Sequence, residues 1–298
     1  MKYDSIVIGN GLFGSLITRG LRDQGKCVLL LGDDQPEAGS PPAACLVRPE
    51  WTGKIPHEVV GQGLKFLDER YKVYHREFEE ITPTGKHKHP LATFFDPQDM
   101  LLQPDLRAHV HLVTQCEEGR LVQAMCKDRP GLAVEFMAPQ VVVAAGFWSQ
   151  RLVPWVDLEL VGKTGIAFLY DFRDLENYGF SNPLNIVRTW APYRQIVGFD
   201  RNDGYWISDG AAILERNWTS EKAQQSYLRC ASALFGERAT RAGNVPNHRA
   251  LLGIRPYTQE KPCFCKQVSP GLWVAVGAAK NGTLLGGYCA SLIMEQSK

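Results

Sequence analysis

The sequence predicts a mixed α/β (α+β) fold, in which a domain with a mostly parallel sheet is interleaved with a smaller domain with an antiparallel sheet. Three observations support this prediction. The chain opens with a strand, a helix and a second strand. Two later apolar runs, at 141–146 and 271–277, each end in glycine, as is typical of strands that a parallel sheet buries on both faces. Between these runs, alternating segments separated by turn residues indicate antiparallel strands.

The opening unit consists of apolar strands at 5–8 and 27–31 and an intervening helix, and its first turn carries Gly9, Gly11 and Gly14 in a GxGxxG pattern. In Rossmann-like folds the first of these glycines makes a tight turn, and the second lets the backbone approach a pyrophosphate. The third lets the helix pack closely on the strand, and the helix N-terminus offers unpaired N–H groups to phosphates. The unit therefore predicts a dinucleotide-binding site.

The end of the second strand departs from the usual pattern. An acidic residue normally stands there to bind a ribose hydroxyl, but this sequence has Gly32, with Asp33 one position later. The opening unit alone therefore leaves both NAD and FAD open as ligands.

The composition is that of an ordinary globular protein. The chain has 298 residues, of which 44% are hydrophobic and 22% charged, so it can form one large domain or two smaller ones. A net charge of +1 gives no indication of nucleic acid or of an anionic membrane surface as a partner. No apolar run is long enough for a membrane span, and the first residues do not read as a secretion signal. We therefore expect the eight cysteines to be reduced thiols in a cytoplasmic protein.

The sequence predicts no metal site. Cys263 and Cys265 form a CxC pair, but no second pair follows at the spacing of a zinc finger. Two histidine pairs, 87/89 and 109/111, would each share one face of a strand. Because neither pair has a carboxylate at a suitable spacing, we expect these histidines to be solvated.

The elements of the first half follow in order. A loop rich in proline and alanine at 35–49 precedes a helix predicted from Pro56 to about Glu80, because apolar residues recur there at spacings of three and four. Three alternating segments between 109 and 137 predict an antiparallel ribbon. The ribbon then returns to the parallel sheet through the apolar run at 141–146.

The second half predicts the antiparallel sheet and two helices. A helix at 220–235 is ended by Gly236, and a helix at 284–295 closes the chain after a loop of small residues. Two tryptophans, Trp190 and Trp206, fit either core packing or a pocket wall. The strands of this sheet are predicted at 166–172, 184–190, 194–199 and 205–209.

Four separated stretches follow the pattern of one known family. They are IGNGLFG with the second strand, PPAACLVRP, VVVAAGFWS, and GIRPYTQEKP followed by LWVAVGAAKNGTLLGG. Together they resemble the FAD-dependent D-amino acid oxidase (DAO) family, and GIRPYT and AKNGTLL are most similar to its glycine oxidase and sarcosine oxidase branch. The resemblance covers nearly the whole chain and implies FAD as the cofactor. It also implies a discontinuous FAD-binding domain at 1–80, 105–160 and 245–298, and a substrate or cap domain at 81–104 and 161–244.

The family pattern implies which residues hold FAD. The opening turn binds the pyrophosphate, and Asp33 stands in for the absent ribose acid. The loop after the second strand runs beside the flavin, Leu112 meets the adenine through its backbone, and the small-residue loop near the end covers the flavin ring. The implied residues are Gly9, Gly11, Leu12, Phe13, Gly14, Asp33, Ala43, Ala44, Cys45, Val47, Leu112, Ala145, Gly146, Ala279, Lys280, Asn281, Gly282, Thr283 and Leu284.

The resemblance also implies how substrate binds. Arg255, in the GxRP motif, would form a bidentate contact with the substrate carboxylate, for which a planar guanidinium is suited. Lys280 stands where the branch has a second arginine. On the strand at 193–197 the family tyrosine falls on Gln195, with Tyr193 two residues earlier, and this departure puts glycine in doubt as the substrate.

The implied function is oxidation of the C–N bond of a small amino acid or amine, by hydride transfer to flavin and with oxygen as acceptor. Two alternatives stay open at this point: a flavin dehydrogenase or 2-hydroxy acid oxidase that uses another acceptor, and a flavin-binding accessory subunit without turnover. The chain is shorter than typical relatives, which leaves room for a homo-oligomer or a partner protein that completes a reduced cap.

Overall fold

The structure is a computed structural model that describes residues 2–33, 35, 38–41, 43–48, 52–82, 85–180, 186–191, 194–210, 212–214, 220–241, 243, 245–259 and 262–297. The described strands are β1 Ser5–Ile8, β2 Val28–Gly32, β3 Leu46–Val47, β4 Tyr74–Thr82, β5 Gly85–Phe94, β6 Leu106–Cys116, β7 Gly119–Cys126, β8 Ala133–Ala138, β9 Gln140–Val143, β10 Val161–Tyr170, β11 Ile186–Ala191, β12 Arg194–Arg201, β13 Gly204–Ser208, β14 Ala212–Leu214, β15 His248–Tyr257, β16 Phe264–Ser269 and β17 Leu272–Val276. The described α-helices are α1 Leu12–Asp23, α2 His57–Asp68, α3 Pro97–Met100, α4 Ser149–Leu152, α5 Phe172–Asn177, α6 Ser220–Phe235, α7 Glu237–Arg241 and α8 Gly282–Gln296.

The first sheet has the strand order β16-β17-β9-β1-β2-β6-β7-β8. Its central strands are parallel: β1 pairs with β2 and β9, and β17 pairs with β9. β6 pairs with β2 in parallel. The pairs β6-β7, β7-β8 and β16-β17 are antiparallel. The buried runs at β1, β9 and β17 thus form the parallel centre that the sequence predicted.

The second sheet has the order β14-β10-β13-β12-β11-β4-β5-β3, and β15 pairs with the other edge of β10. The pairing is antiparallel along β10, β13, β12 and β11. With the parallel centre of the first sheet, this arrangement confirms the predicted fold class. Because β4 and β15 lie in this sheet but come from segments assigned to the FAD-binding domain, we retain the two-domain division as a proposal.

The C-terminal helix α8 packs on α1 and α2 against the first sheet. A Cβ atom at Gly287 would lie 2.7 Å from the carbonyl oxygen of Gly63, and one at Gly63 would lie 2.5 Å from that of Leu284. Helices approach this closely only where no side chain separates their backbones. The glycines of α8 therefore set its position under the sheet. Among the helices in the described residues, none combines the length and the apolar composition that a membrane crossing requires.

The helix predicted at 56–80 is wrong in its second half. Helix α2 ends at Asp68, and the chain continues as β4 from Tyr74 to Thr82. Tyr74 and Phe78 are four residues apart, a spacing that fits one face of a helix and equally one face of a strand. In β4, Phe78 is buried against Phe199 of the second sheet, so tertiary packing decides between the two periods.

Candidate functional site

A cavity of about 1070 Å³ lies between the two sheets. On one side it is bounded by residues that follow β1, β9 and β17, and on the other by residues of β10, β12, β13 and β15. Ligands of open α/β folds bind in this position, outside the carboxyl ends of the parallel strands. The volume is close to the upper end of the range of small-molecule and cofactor sites, about 300–1,000 Å³.

Most of the predicted site residues line this cavity. They are Gly9, Gly11, Leu12, Phe13, Asp33, Ala43, Ala44, Cys45, Ala145, Gly146, Arg255, Ala279, Lys280, Gly282 and Thr283. Five others lie outside its lining, namely Gly14, Val47, Leu112, Asn281 and Leu284. Tyr193 is outside the described residues, and Gln195 lies in β12 opposite Thr189, with its side chain also outside them. The roles of all these residues toward FAD or substrate stay predictions.

Each of the three glycines in the opening turn is required for a different steric reason. Gly9 has a φ of +106°, and a Cβ there would lie 2.5 Å from the carbonyl oxygen of Ala144. A Cβ at Gly14 would lie 1.6 Å from the carbonyl oxygen of Gly9, so Gly14 serves the packing of α1 on β1. A Cβ at Gly11 would lie 2.8 Å from Oγ of Ser40. The turn is therefore shaped for close backbone approach, as a pyrophosphate requires.

Ser40 is a cavity residue that the sequence did not identify. Its Oγ accepts a hydrogen bond of 2.9 Å from the N–H of Leu12, at the start of α1. A hydroxyl can accept one hydrogen bond and still donate its proton, so Ser40 adds a donor beside the helix N-terminus. The signal available in the sequence was a serine in the loop before the Ala43-Ala44-Cys45 run. With the glycine turn, this arrangement fits the phosphates of a dinucleotide.

Packing explains why position 32 holds glycine. A Cβ at this position would lie 2.7 Å from Cγ of Asn10 and 2.9 Å from Cβ of Pro104. The side chain of Asn10 thus occupies the space in which an acidic residue at 32 would stand. The structure therefore explains why the usual acidic position holds glycine.

Asp33 points into the neighbouring part of the cavity and is held by several donors. Its Oδ2 lies 2.7 Å from Nδ1 of His109, and Lys127 and Gln35 also contact its carboxylate. Burial raises the pKa of Asp33, but the hydrogen bonds from His109, Lys127 and Gln35 together outweigh it, so the pKa lies below its ordinary value of 3.8. Asp33 is therefore an ionised acceptor at the end of β2.

Two residues other than glycine hold left-handed backbone conformations in the cavity wall. Cys45 has a φ of +51° and Ala279 a φ of +52°. Such strain is retained where surrounding contacts fix the chain, and the N–H of Ala279 donates to the carbonyl oxygen of Pro256 at 3.1 Å.

Burial raises the pKa of the Cys45 thiol to about 12, against the opposing effect of a hydrogen bond with Thr283. Cys45 is therefore a neutral thiol at physiological pH.

Arg255 lies in β15, where it is paired with Lys163 of β10. Its guanidinium lies over Gly165: a Cβ at Gly165 would be 2.9 Å from both Cζ and Nη2 of Arg255. The loop at 38–39 touches the same strand, since Ala38 forms a β-bridge with Ile254. The second sheet therefore presents the arginine to the cavity, and the glycine on β10 provides its space.

A group of polar residues beyond Arg255 also lines the cavity and was not predicted from the sequence. Lys222, Gln225 and Arg229 of α6 line the cavity, together with Ser208 and Asp209 at the end of β13. Arg229 donates from Nε and Nη2 to Oδ2 of Asp209, at 2.8 and 2.6 Å. The spacing of three and four along a predicted helix was the signal in the sequence, but it is also that of an ordinary solvated face.

Trp206 joins the cavity wall to the core. It is 5% exposed, lines the cavity and packs on Phe199 with ring centroids 5.4 Å apart. Val197 and Ala167 line the same wall. These side chains give the cavity an apolar stretch of wall in addition to the charged group of Arg255.

The cavity thus combines the glycine turn, the ionised Asp33 and a wall that carries Arg255. Residues 102–296, about two thirds of the chain, match the profile of the DAO family, described as FAD dependent oxidoreductase. The chain belongs to this family. No curated protein sequence matches it.

Solved structures share the fold at low sequence identity. Glycine oxidase from Bacillus cereus superposes with a TM-score of 0.73 and 13% identity, over 99% of this chain and 95% of that chain. Glycine oxidase from Geobacillus kaustophilus gives 0.71 and 15%, over 100% and 95%. L-proline dehydrogenase from P. horikoshii gives 0.71 and 11%, over 99% and 92%. These matches span nearly the full length of both chains and show the fold.

Proposed function

We propose that the protein oxidises the C–N bond of a small amino acid or amine, with molecular oxygen as the final electron acceptor. FAD, when bound, supplies the acceptor for the hydride that leaves the α-carbon of the substrate. The chain's own residues then have to bind the substrate, orient its α-carbon and exclude water. The observation that carries the proposal is the guanidinium of Arg255, held over Gly165 in the wall of the cavity.

Substrate orientation follows from the chemistry of that guanidinium. Arg255 binds a carboxylate through two parallel N–H donors, which fixes the carboxylate plane as well as its position. The apolar wall formed by Val197 and Trp206 faces the rest of the substrate. A substrate held at one end and enclosed at the other has its α-carbon in a defined place, and such positioning accounts for much of the rate in reactions of this kind.

The proposal needs little acid–base chemistry from the protein. Among the described residues that line the cavity near Arg255, the side chain with a carboxylate is that of Asp209. This carboxylate is bound to Arg229. Cys45 is a neutral thiol because burial raises its pKa. The residues at this end therefore bind and orient the substrate, which is supplied as the neutral amine.

Support for an amino acid or amine as substrate comes from the solved structures that share the fold, which include two glycine oxidases and an L-proline dehydrogenase. Anaerobic titration of the FAD-loaded protein with a panel of amino acids, amines and 2-hydroxy acids tests the proposal. We expect an amino acid or amine to bleach the flavin absorbance and to yield peroxide on admission of air. Bleaching by 2-hydroxy acids alone, or bleaching without peroxide, favours the alternative substrate or acceptor.

The role of Arg255 is tested by Arg255→Ala. A charge-assisted pair contributes about 1.5–3 kcal/mol, so we expect KM for carboxylate substrates to rise roughly 10- to 100-fold. The content of bound FAD, read from the absorbance of the purified protein, should be unchanged. Loss of flavin from this variant, or an unchanged KM, would contradict the assignment.

A further inference from the structure

Three cysteine thiols meet where α8 packs against the edge of the first sheet. Cys263 stands directly before the edge strand β16, Cys265 lies within that strand, and Cys289 lies in α8. All three belong to the hydrophobic cluster that also holds the buried residues of α1 and α2, and their exposed fractions are 5%, 9% and 0%. Neither the binding of FAD nor the proposed function gives these thiols a role.

The alternation of the edge strand directs two of the thiols toward the helix. Successive side chains of a strand point to opposite faces of the sheet. Phe264 belongs to the hydrophobic cluster on one face of the first sheet, whereas Cys263 and Cys265 belong to the cluster on the other face, which contains Cys289. Both cysteines of this segment therefore face α8.

Cys263 and Cys289 are in direct contact. Their Sγ atoms lie 3.6 Å apart, whereas the sulfurs of a disulfide are about 2.0 Å apart. The sulfurs thus have to approach by about 1.5 Å to form a bond, a distance that rotations of the two side chains can supply. Cys263 precedes β16, so its backbone lies outside the strand, whereas Cys265 is paired with Ala275 of β17. Of the two, Cys263 is therefore the one whose backbone can follow such a movement.

Burial keeps the helix thiol protonated. It raises the pKa of Cys289 well above the ordinary value of 9.0, and the contacts with Cys263 and Cys265 raise this pKa further. The thiolate is the form of cysteine that attacks an oxidant. Because Cys289 is fully buried and neutral, the first reaction with an oxidant falls to Cys263, which keeps some exposure to solvent.

We propose that Cys263 and Cys289 form an oxidation site, at which hydrogen peroxide produces a disulfide that links α8 to the edge of the first sheet. The Cys263 thiolate attacks one oxygen of peroxide, the O–O bond breaks, and the departing hydroxide takes up the proton that the thiol lost. The sulfur of Cys289 then attacks the sulfenic acid at Cys263, the S–O bond breaks, and the second hydroxide takes the proton of Cys289. Two thiols thus give up two electrons, and one peroxide becomes two waters.

The source of the oxidant rests on the proposed function, since oxygen that accepts two electrons and two protons becomes hydrogen peroxide. The disulfide closes a loop that contains β16, β17 and the start of α8, where Gly282 and Thr283 line the cavity. A bond across such a loop stabilises the native state by restricting the unfolded chain. The site therefore fastens the cofactor end of the molecule under the oxidising conditions that turnover creates.

Added oxidant tests the site without turnover. The FAD-loaded protein is treated with hydrogen peroxide and its tryptic peptides are analysed by mass spectrometry, with the exposed Cys27 as the indicator that the oxidant has reacted. We expect a peptide that links Cys263 to Cys289, and a Tm roughly 5 °C or more above that of the same sample after reduction. Oxidation of Cys27 without the linked peptide would overturn the proposal.

Alanine variants identify the partners, each compared in its oxidised and its reduced form. Cys263→Ala and Cys289→Ala should lose both the linked peptide and the gain in Tm on oxidation. Cys265→Ala should keep both, and so should the matched control Cys126→Ala, which replaces a buried thiol of β7. A peptide that links Cys265 to Cys289 in the parent protein would contradict the choice of Cys263.

Turnover in the presence and absence of catalase tests the source of the oxidant. With a substrate that reduces the flavin, the linked peptide should form in air and should not form when catalase removes the peroxide. If added peroxide forms the disulfide but no amine or amino acid yields peroxide, the oxidation site stands and the proposed function fails. If turnover yields peroxide and neither it nor added peroxide forms the disulfide, the function stands and this inference fails.

Discussion

Gly165 is the residue on which the placement of Arg255 depends. A Cβ at Gly165 would lie 2.9 Å from Cζ and Nη2 of the arginine, a separation that real Cβ atoms do not show. Gly165→Ala therefore forces the guanidinium to move, while the flexible arginine spares the fold. We expect KM for carboxylate substrates to rise roughly 10-fold, as for the loss of one charge-assisted hydrogen bond, with unchanged FAD content.

The control for this variant is Gly53→Ala, at a position where a Cβ would meet nothing within 4 Å. It should leave KM unchanged. If Gly165→Ala leaves KM unchanged as well, the guanidinium binds substrate from some other position, and the arrangement on which the proposed function rests has to be abandoned.

Asp33 predicts a pH dependence of stability. Its native pKa lies below 3.8 because the hydrogen bonds from His109, Lys127 and Gln35 outweigh burial. A carboxyl with a depressed native pKa contributes its full stabilisation above its unfolded pKa, and loses it as the pH falls through the native pKa. Asp33→Asn should therefore lower Tm near neutral pH, and the difference from the parent should shrink as the pH falls from about 4 to about 2.

Thermal melts of both proteins across this range measure the effect. His109→Asn removes one of the donors and should give a smaller change of the same sign. A difference in Tm that stays constant down to about pH 2 would mean that the stabilisation does not come from the ionised carboxylate.

At the scale of elements, the contact between α2 and α8 depends on glycine. A Cβ at Gly287 would lie 2.7 Å from the carbonyl oxygen of Gly63, which is backbone and cannot rotate away. Gly287→Val adds three carbons there, so the helices must separate. Overpacking of this kind costs about 1–3 kcal/mol, and we expect a clear fall in Tm.

Gly61→Ala is the matched control for this contact. It lies on α2, two residues from Gly63, at a position where a Cβ would meet nothing within 4 Å. Replacing a helical glycine with alanine at such a site stabilises a protein by about 0.4–1 kcal/mol. A fall in Tm of equal size for both variants would show that the effect is not specific to the helix contact.

Elements whose residues are buried on all sides were predictable from the sequence. The apolar runs that became β1, β9 and β17 fit no solvent-exposed element, and α6 was marked by a polar start at Ser220 and by Gly236, whose φ is +84°. β4 was not predictable, because Tyr74 and Phe78 satisfy helix and strand spacing alike. Its state was decided by contact with Phe199, which is distant in the sequence.

The site residues, too, were predictable where a local steric need leaves a motif in the sequence, and were not predictable where a feature of the sheet decides. Gly9 and Gly11 occupy backbone positions with strict steric needs, so a sequence motif marks them. Leu112 was expected to meet the adenine through its backbone, and this stays a prediction. Which side chains of β6 face the cavity was not predictable, because a register shift between Val110 and Leu112 alters the alternation of the strand. His111 lines the cavity and Leu112 does not. A bulge of one residue leaves no distinct signal in the sequence, although it turns every later side chain to the other face.

At the scale of the whole molecule, the cavity joins the two sheets. One hydrophobic cluster runs from Leu16 of α1 and Val142 of β9 to Phe199 and Trp206 of the second sheet. The loop at 38–39 and the bridge between Tyr257 and Ala278 connect the sheets at the cavity itself. A ligand that fills this space contacts both sheets, so its binding and the stability of the molecule are coupled.

Removal of FAD should therefore lower the stability of the whole molecule. A ligand that binds only the native state adds RT ln(1 + [L]/Kd), or about 2.7 kcal/mol when its concentration is 100 times Kd. We expect Tm of the FAD-free protein to fall well below that of the loaded protein, and to rise with the logarithm of added FAD.

Arg255→Ala should show the same rise, because Arg255 is assigned to substrate. Gly11→Val should show a much smaller rise, because its side chain would fill the turn beside Ser40. If FAD stabilises Gly11→Val as strongly as the parent protein, the dinucleotide does not bind at the opening turn.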